Sequence, residues 1–220
     1  MDKSLWPQAD DTQQLLAKAG AGSSDAVNQL LERHRAAVHR LVQIRLDQKV
    51  QRRLDVSDVV QDVMIEASTR LQNYLHNPEM AFHLWLRQIA WDHMIDAYRK
   101  HRVSAKRSID REQPMQTGSP DQSSVMLAAQ LFDPQITPAA HAMRQEIVGQ
   151  VETAIAVLND QDREIVHLRH YEYLSNLEIA EVLSITPAAA SMRYLRAVRR
   201  LRELLDETGD GSGKSAEIAS

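Results

Sequence analysis

The chain contains no cysteine. Disulfides, cysteine-based zinc sites and iron–sulfur clusters are therefore excluded, and a reducing cytoplasm fits. Aromatic residues make up only 5% and glycines number seven, which disfavours an all-β fold. No apolar run approaches the ~20 residues that span a bilayer. The opening stretch MDKSLWPQADD lacks the apolar core of a signal peptide. These absences point to a cytoplasmic protein without a membrane role. Neither sign of charge dominates: the formal net charge is −4 over 220 residues, so the distribution of charge matters more than its sum. There is no phosphate-binding loop and no convincing nucleophile–base pair, and the nine histidines are scattered. An enzyme is not expected, nor a metal or other cofactor.

What is present is helical periodicity. Apolar residues recur at helical spacing, as in Leu15, Leu16 and Ala19, then Val27, Leu30, Leu31, Val38, Leu41 and Val42. Ser24 or Asp25 is the expected N-cap after the AGAGSS stretch. Further helices are predicted over 56–75 and 80–102, separated by Asn77-Pro78, where proline restricts its neighbour and lacks an N–H. From 103 to 136 the composition changes, with Pro114, Gly118, Ser119, Pro120, Ser123, Ser124 and Pro134. That reads as a linker with one short helix near 125–132. Order resumes at Thr137-Pro138, a capping residue followed by proline at the first helical position. Helices are predicted over 138–158, 161–170, 175–183 and 187–205. No segment shows strand periodicity. The expected fold is all-α: two small helical domains, 12–102 and 137–206, joined by a flexible linker at 103–136 and followed by a disordered tail at 207–220.

The strongest local signal is 175–202. Ser175 and Glu178 have capping-box spacing, and Leu177, Ile179, Ala180 and Leu183 supply apolar positions. The turn Ser184-Ile185-Thr186 follows, and Thr186-Pro187 opens a second helix. A short helix, a tight turn and a second helix make a helix-turn-helix. The second helix carries Arg193, Arg196, Arg199, Arg200 and Arg202 with no acidic residue before Glu203, whereas in 145–183 Arg163 and Arg169 stand against eight acidic residues. Basic charge is confined to the helix that would enter a major groove, as phosphate contact requires. An ordinary helical hairpin with a solvated arginine face is the bland alternative. Cap, turn and charge segregation together favour DNA binding. Ser191, Arg193 and Arg196 are the expected base readers, while Arg199 and Arg200 suit phosphates.

Asp55, Asp58, Asp62 and Glu66 put four carboxylates on one helical stripe, with Val56, Val59, Val60, Val63 and Ile65 mostly elsewhere around the helix. A solvated acidic face, a metal or acid–base site and a docking face for a basic partner are the available readings. The preceding helix is basic, so some of these charges could pair internally. In 82–102, Phe82, Trp85, Leu86 and Ile89 fall on one face and are assigned to packing. Trp91 lies off that stripe and could stack on a base or make an inter-helix contact. Arg99, Lys100 and Arg102 make the helix end basic, which suits both the helix dipole and DNA phosphates.

Three stretches in this order resemble the extracytoplasmic-function (ECF, group IV) sigma factors of RNA polymerase. DVSDVVQDVMIEA resembles the acidic helix of sigma region two. HLWLRQIAWDHMIDAYRKHR resembles the promoter-melting helix. The run LNDQDREIVHLRHYEYLSNLEIAEVLSITPAAASMRYLRAVRRLREL resembles sigma region four. The resemblance implies that Asp58, Gln61 and Asp62 dock on the β′ subunit of core polymerase. It implies that residues 73–81, Asn73 and Tyr74 among them, capture a flipped base of the minus-ten element. The helix from Phe82, with Trp91, Arg99, Lys100 and Arg102, would hold the melted strand. The helix from Pro187 would read the minus-thirty-five element. The linker would thread through polymerase, so the implied partners are its β′ and β subunits, promoter DNA, and an anti-sigma or other regulatory protein. Three positions depart from the family pattern: Asp92 replaces the usual Asn, Ser184 stands where Gly is frequent, and Leu158-Asn159 replaces Leu-Pro. Two other readings stand beside this one. A free-standing helix-turn-helix regulator would leave 55–102 without a role, and a helical adaptor would use the acidic stripe without DNA.

Overall fold

The structure is a computed structural model, and it describes residues 4–46, 54–105, 124, 127, 131 and 141–214. The chain forms two compact units, Met1–Gln113 and Pro114–Ser220. All regular structure among the described residues is helical, as expected from the periodicity.

The first unit holds α1 (Ala9–Gly20), α2 (Ser24–Arg45), α3 (Val56–His76) and α4 (Phe82–Ala105). Helix α2 packs against the other three, and α3 also packs on α1 and α4. Leu30, Val38, Leu41 and Val42 of α2 meet Val63, Ala67 and Leu71 of α3 and Leu86, Ile89 and Ala90 of α4 in the buried core. Gly22 has φ +91, a left-handed conformation that glycine adopts without a Cβ clash, and it turns the chain out of α1. Ser23, not Ser24 or Asp25, is the N-cap of α2: its side chain accepts from the Ala26 N–H. Asp55 caps α3 by accepting from Ser57 N–H at 2.8 Å. Trp6 lies ahead of α1 and is buried beside His34 and His83. Burial lowers the pKa of His34, whose Nδ1 lies 2.9 Å from the Leu30 carbonyl.

The second unit holds α5 (His141–Val157), α6 (Asp160–Val166), a π-helical turn (His167–Tyr171), α7 (Asn176–Val182) and α8 (Pro187–Lys214). Helix α8 packs against α5, α6 and α7. Val151, Ile165, Leu168, Ile179, Ala190, Ala197 and Leu201 are buried. The single helix expected over 161–170 is thus replaced at Val166 by a wider π turn, which carries both Leu168 and Tyr171 to buried positions. The final helix does not stop near Leu205, where an unstructured tail was expected to follow; its backbone stays helical to Lys214, with no proline to end it.

Most of the expected linker, and the helix start at Thr137-Pro138, lie outside the described residues. Within the linker Ser124, Leu127 and Leu131 are helical, and Ser124 and Leu127 are buried. The Ser124 hydroxyl lies 2.9 Å from a Glu152 carboxylate oxygen and 3.0 Å from the Tyr171 hydroxyl. Ser124 is thereby tied to α5 and to the π-helical turn of the second unit.

Arg163 joins α5 to α6. Its Nη2 donates to the carbonyls of Ala156 and Leu158, and its Nη1 pairs with Asp160 at 3.2 Å. One guanidinium thus satisfies carbonyls left open at a helix C-terminus. Asn159 caps α6: its oxygen accepts from Asp162 N–H at 2.9 Å and its amide donates to the Asp162 carboxylate at 2.7 Å. The departure from Leu-Pro at this point supplies a cap.

Candidate polymerase-binding and nucleic-acid surfaces

The four carboxylates of α3 divide into two pairs. Asp55 is engaged as the N-cap. Glu66 holds Arg70 at 2.5 Å and His93 of α4 at 2.6 Å. Asp58 and Asp62 are exposed and have no ion-pair partner among the described residues. Arg52 and Arg53, the bases nearest in sequence, lie outside those residues. Gln61 is exposed between the two aspartates, and Val59, Val60 and Val63 face the core. Ile65 corrects the expected pattern. It is 57% exposed and sits three residues beyond Asp62 on the same side, an apolar contact in the acidic face. Its neighbours Met64 and Ala67 already fill the core positions, so the helix turns Ile65 outward.

At the other end of α3 the expected base-capturing segment is partly helical, since α3 runs to His76 and only 77–81 is loop. Asn73 is exposed. Tyr74 is buried, and its hydroxyl donates to the Met80 carbonyl at 2.9 Å. Its ring lies 4.8 Å from Trp85 and 5.6 Å from Phe82, centroid to centroid. Tyr74 thus supports the 77–81 loop from beneath, its ring packed on Phe82 and Trp85. Phe82, Leu86 and Ile89 are buried as assigned, while Trp85 is half-buried.

Trp91 is also half-buried. The Arg45 Cζ of α2 lies 5.2 Å from its ring centroid, and the Arg87 Cζ of α4 lies 5.4 Å away. Arg45 thus gives Trp91 a cation–π contact across α2 and α4, and each such contact stabilises by about 0.5–1 kcal/mol at a partly exposed site. Arg99 and Lys100 are exposed, with Arg99 3.6 Å from Asp96. Arg102 lies in α4, and its side chain is outside the described residues. Asp92 is exposed.

In the second unit the capping box is present. The Ser175 hydroxyl accepts from Glu178 N–H, and the Glu178 carboxylate accepts from Ser175 N–H at 2.7 Å. Ser184 has φ +52 in the turn, the conformation for which glycine is the usual residue. Thr186 caps α8 by accepting from Ala189 N–H at 3.2 Å. Asn176 donates to the Pro187 carbonyl at 2.9 Å and ties the start of α7 to the start of α8. The helix-turn-helix is therefore fixed by side-chain bonds at both helix starts.

Helix α8 buries Ala190, Ala197, Leu201 and Leu205 and leaves Ser191, Arg196, Arg199 and Arg202 exposed, with Arg193 half-buried. Arg193, Arg196 and Arg199 have no ion-pair partner among the described residues. Arg200 is different: it pairs with Glu203 at 3.0 Å and approaches Glu207 at 3.9 Å. Sequence reasoning missed Met192 and Leu195, which stand exposed among these arginines. Arginines dominate the sequence of this helix, and only the packing shows which way its apolar residues point. No helix among the described residues is long and apolar enough to cross a membrane.

Comparison with known proteins matches both units. The Sigma-70 region 2 family matches residues 30–103, and the Sigma-70, region 4 family matches residues 154–203. Between them they take in α2 to α4 and α6 to most of α8. The RNA polymerase sigma factor CnrH of Cupriavidus metallidurans is 28% identical over 192 residues, covering 87% of this chain and 93% of CnrH. The ECF RNA polymerase sigma factor SigD of Mycobacterium tuberculosis is 28% identical over 209 residues, 94% of this chain and 90% of SigD. Among solved structures, CnrH in complex with the cytosolic domain of CnrY aligns with a TM-score of 0.54 at 25% identity, over 90% of this chain and 99% of that one. A helical unit of region 2 followed by a helix-turn-helix unit of region 4 defines a sigma-70-type transcription initiation factor. Within that class the chain belongs to the ECF RNA polymerase sigma factors.

Proposed function

We propose that the protein works as a group IV sigma factor in the cytoplasm, joining core RNA polymerase through α3 and promoter DNA through α4 and α8. The observation that supports this most is the pair of oppositely charged faces left without internal ion-pair partners among the described residues. One is Asp58 and Asp62 on α3; the other is Arg193, Arg196 and Arg199 on α8. Asp58, Gln61 and Asp62, with Ile65 among them, dock on the β′ subunit, and carboxylates there suit an arginine-bearing partner through charge-assisted hydrogen bonds. Asn73, Trp91, Arg99, Lys100 and Arg102 face the minus-ten element, and Tyr74 positions its loop. Ser191, Arg193 and Arg196 read the minus-thirty-five element, while Arg199 and Arg200 hold phosphates. The linker runs along the β and β′ subunits.

A regulatory protein is a further proposed partner, by likeness to CnrH, which was solved bound to the cytosolic domain of CnrY. Free protein should bind promoter duplex weakly, because its net charge is −4 and acidic surfaces flank the reading helices. Core polymerase raises affinity by engaging both units at once.

The test is promoter-dependent transcription by purified protein mixed with core polymerase. Specific initiation that needs both components supports the reading. Tight duplex binding without polymerase would point to an operator-binding regulator, and activity in neither assay to an adaptor.

A further inference from the structure

The outward face of α8 is apolar at its centre. With Ala190, Ala197, Leu201 and Leu205 buried, a rotation of about 100° per residue puts Ala188, Met192, Leu195 and Arg199 on the opposite side. Met192 is 59% exposed and Leu195 56%. Arg196 and Arg199 stand beside them without ion-pair partners among the described residues.

Single exposed apolar residues are ordinary on a protein surface. Two large ones, adjacent on the face opposite the core and set beside arginines that have no ion-pair partner among the described residues, ask for a partner that is apolar at its centre and anionic at its rim. The major groove meets that description. Thymine presents a C5-methyl group there, and phosphates line both edges. A basic protein partner would be repelled by the arginines. An acidic one would suit the rim but offers no reason for the apolar pair to sit within the first turns of a recognition helix, where base edges are reached.

We propose that Met192 and Leu195 read thymines of the minus-thirty-five duplex by apolar contact with their methyl groups. The neighbouring arginines hold the helix at the depth this contact needs. The proposal rests on α8 being the DNA-reading helix and adds what part of the sequence it reads. It gives the element a requirement for thymine at one or two positions, independent of hydrogen bonding by arginine.

The test uses holoenzyme assembled from core polymerase and the full-length protein. A promoter is first selected from a library randomised through the minus-thirty-five element. Each thymine of the selected element is then replaced by deoxyuridine, which removes only the methyl group. Open-complex formation on the paired promoters gives a ratio that does not depend on the active fraction of protein. Wild type is expected to lose roughly threefold to fivefold per contacted methyl. Leu195→Ala or Met192→Ala should bring that ratio to one at its own position and lower use of the thymine promoter by a similar factor. If wild type uses deoxyuridine and thymine equally at every position, or selects no thymine, while Arg196→Ala still weakens promoter use, α8 reads DNA and the methyl proposal is wrong. If the arginine variants are also without effect, the DNA-reading role of α8 fails, and the proposal with it.

Discussion

The Nε2 of His170 lies 2.8 Å from the Tyr194 hydroxyl, and the two rings are 5.6 Å apart at their centroids. The contact ties the π-helical turn to α8. Burial, with Arg169 adding to it, lowers the His170 pKa to about 4, and burial raises that of Tyr194. At neutral pH the imidazole is uncharged, so the phenol can donate and Nε2 accept. The orientation of the arginine-bearing helix thus depends in part on a neutral histidine.

Stability of the second unit should therefore fall in acid. The folded pKa lies below the ordinary 6.5, so the unfolded chain binds the proton more readily. Stability is full above pH 6.5, declines as pH drops from there, and levels off near pH 4. The loss is at most about 3 kcal/mol. His170→Gln keeps a hydrogen-bonding group without titrating, and its stability should depend less on pH across that window. Denaturant titrations of both proteins at several pH values check this; parallel curves would put the acid sensitivity elsewhere.

Ser184 holds φ +52 in the helix-turn-helix turn. A non-glycine residue there is strained by about 1–2 kcal/mol, partly offset by its lower unfolded-state entropy. Ser184→Gly should raise stability by about 0.5–1 kcal/mol, and Ser184→Val should lower it. Thermal melts of the three proteins decide it, and a Gly variant that melts lower would show that the serine side chain contributes more than its strain removes.

Asp58→Arg and Asp62→Arg should abolish association with core polymerase. Charge reversal within a docked interface replaces attraction with repulsion and typically costs ~2–5 kcal/mol. Both side chains are exposed and unpaired among the described residues, so the melting temperature should barely change. Folded variants that bind core polymerase at full strength would remove the docking role from α3.

Arg196→Ala and Arg199→Ala should weaken promoter use with different signatures. Arg196 lies nearer the start of α8; if it meets a base edge, its loss costs ~1–3 kcal/mol and relaxes one minus-thirty-five position. On the proposal that Arg199 holds a phosphate, its loss should weaken all promoters alike and flatten the salt dependence. A promoter library transcribed at two salt concentrations separates the two, and matching profiles would refute the division.

Much of this was legible in the sequence because helix starts and stops are local chemistry. Pro187 after Thr186, Ser175 with Glu178, and Asn77 before Pro78 mark boundaries within one turn of chain, and α3 falls within a residue of its predicted span. Orientation was harder. Spacing sets Ile65 with the valines mostly away from the acidic stripe, and only packing shows that it points outward beside Asp62. The resemblance sets Tyr74 in the base-capturing segment, and its hydroxyl bond to Met80 and its contact with Trp85 depend on the chain returning over 77–81. The π turn leaves no mark in hydrophobic spacing, since it shifts the helix by a single residue.

The three tryptophans, Trp6, Trp85 and Trp91, all belong to the unit Met1–Gln113. Indole emission from the intact chain therefore reports on that unit alone, while far-ultraviolet dichroism sums over the helices of both. Comparing the two signals in one full-length sample separates the melting of the two units without cutting the chain. Changes at His170 or Ser184 should move the dichroism transition and leave the fluorescence transition where it was. A ligand bound only by the helix-turn-helix would be silent in emission, so any change of indole signal on its addition would measure coupling to the unit that carries the acidic face.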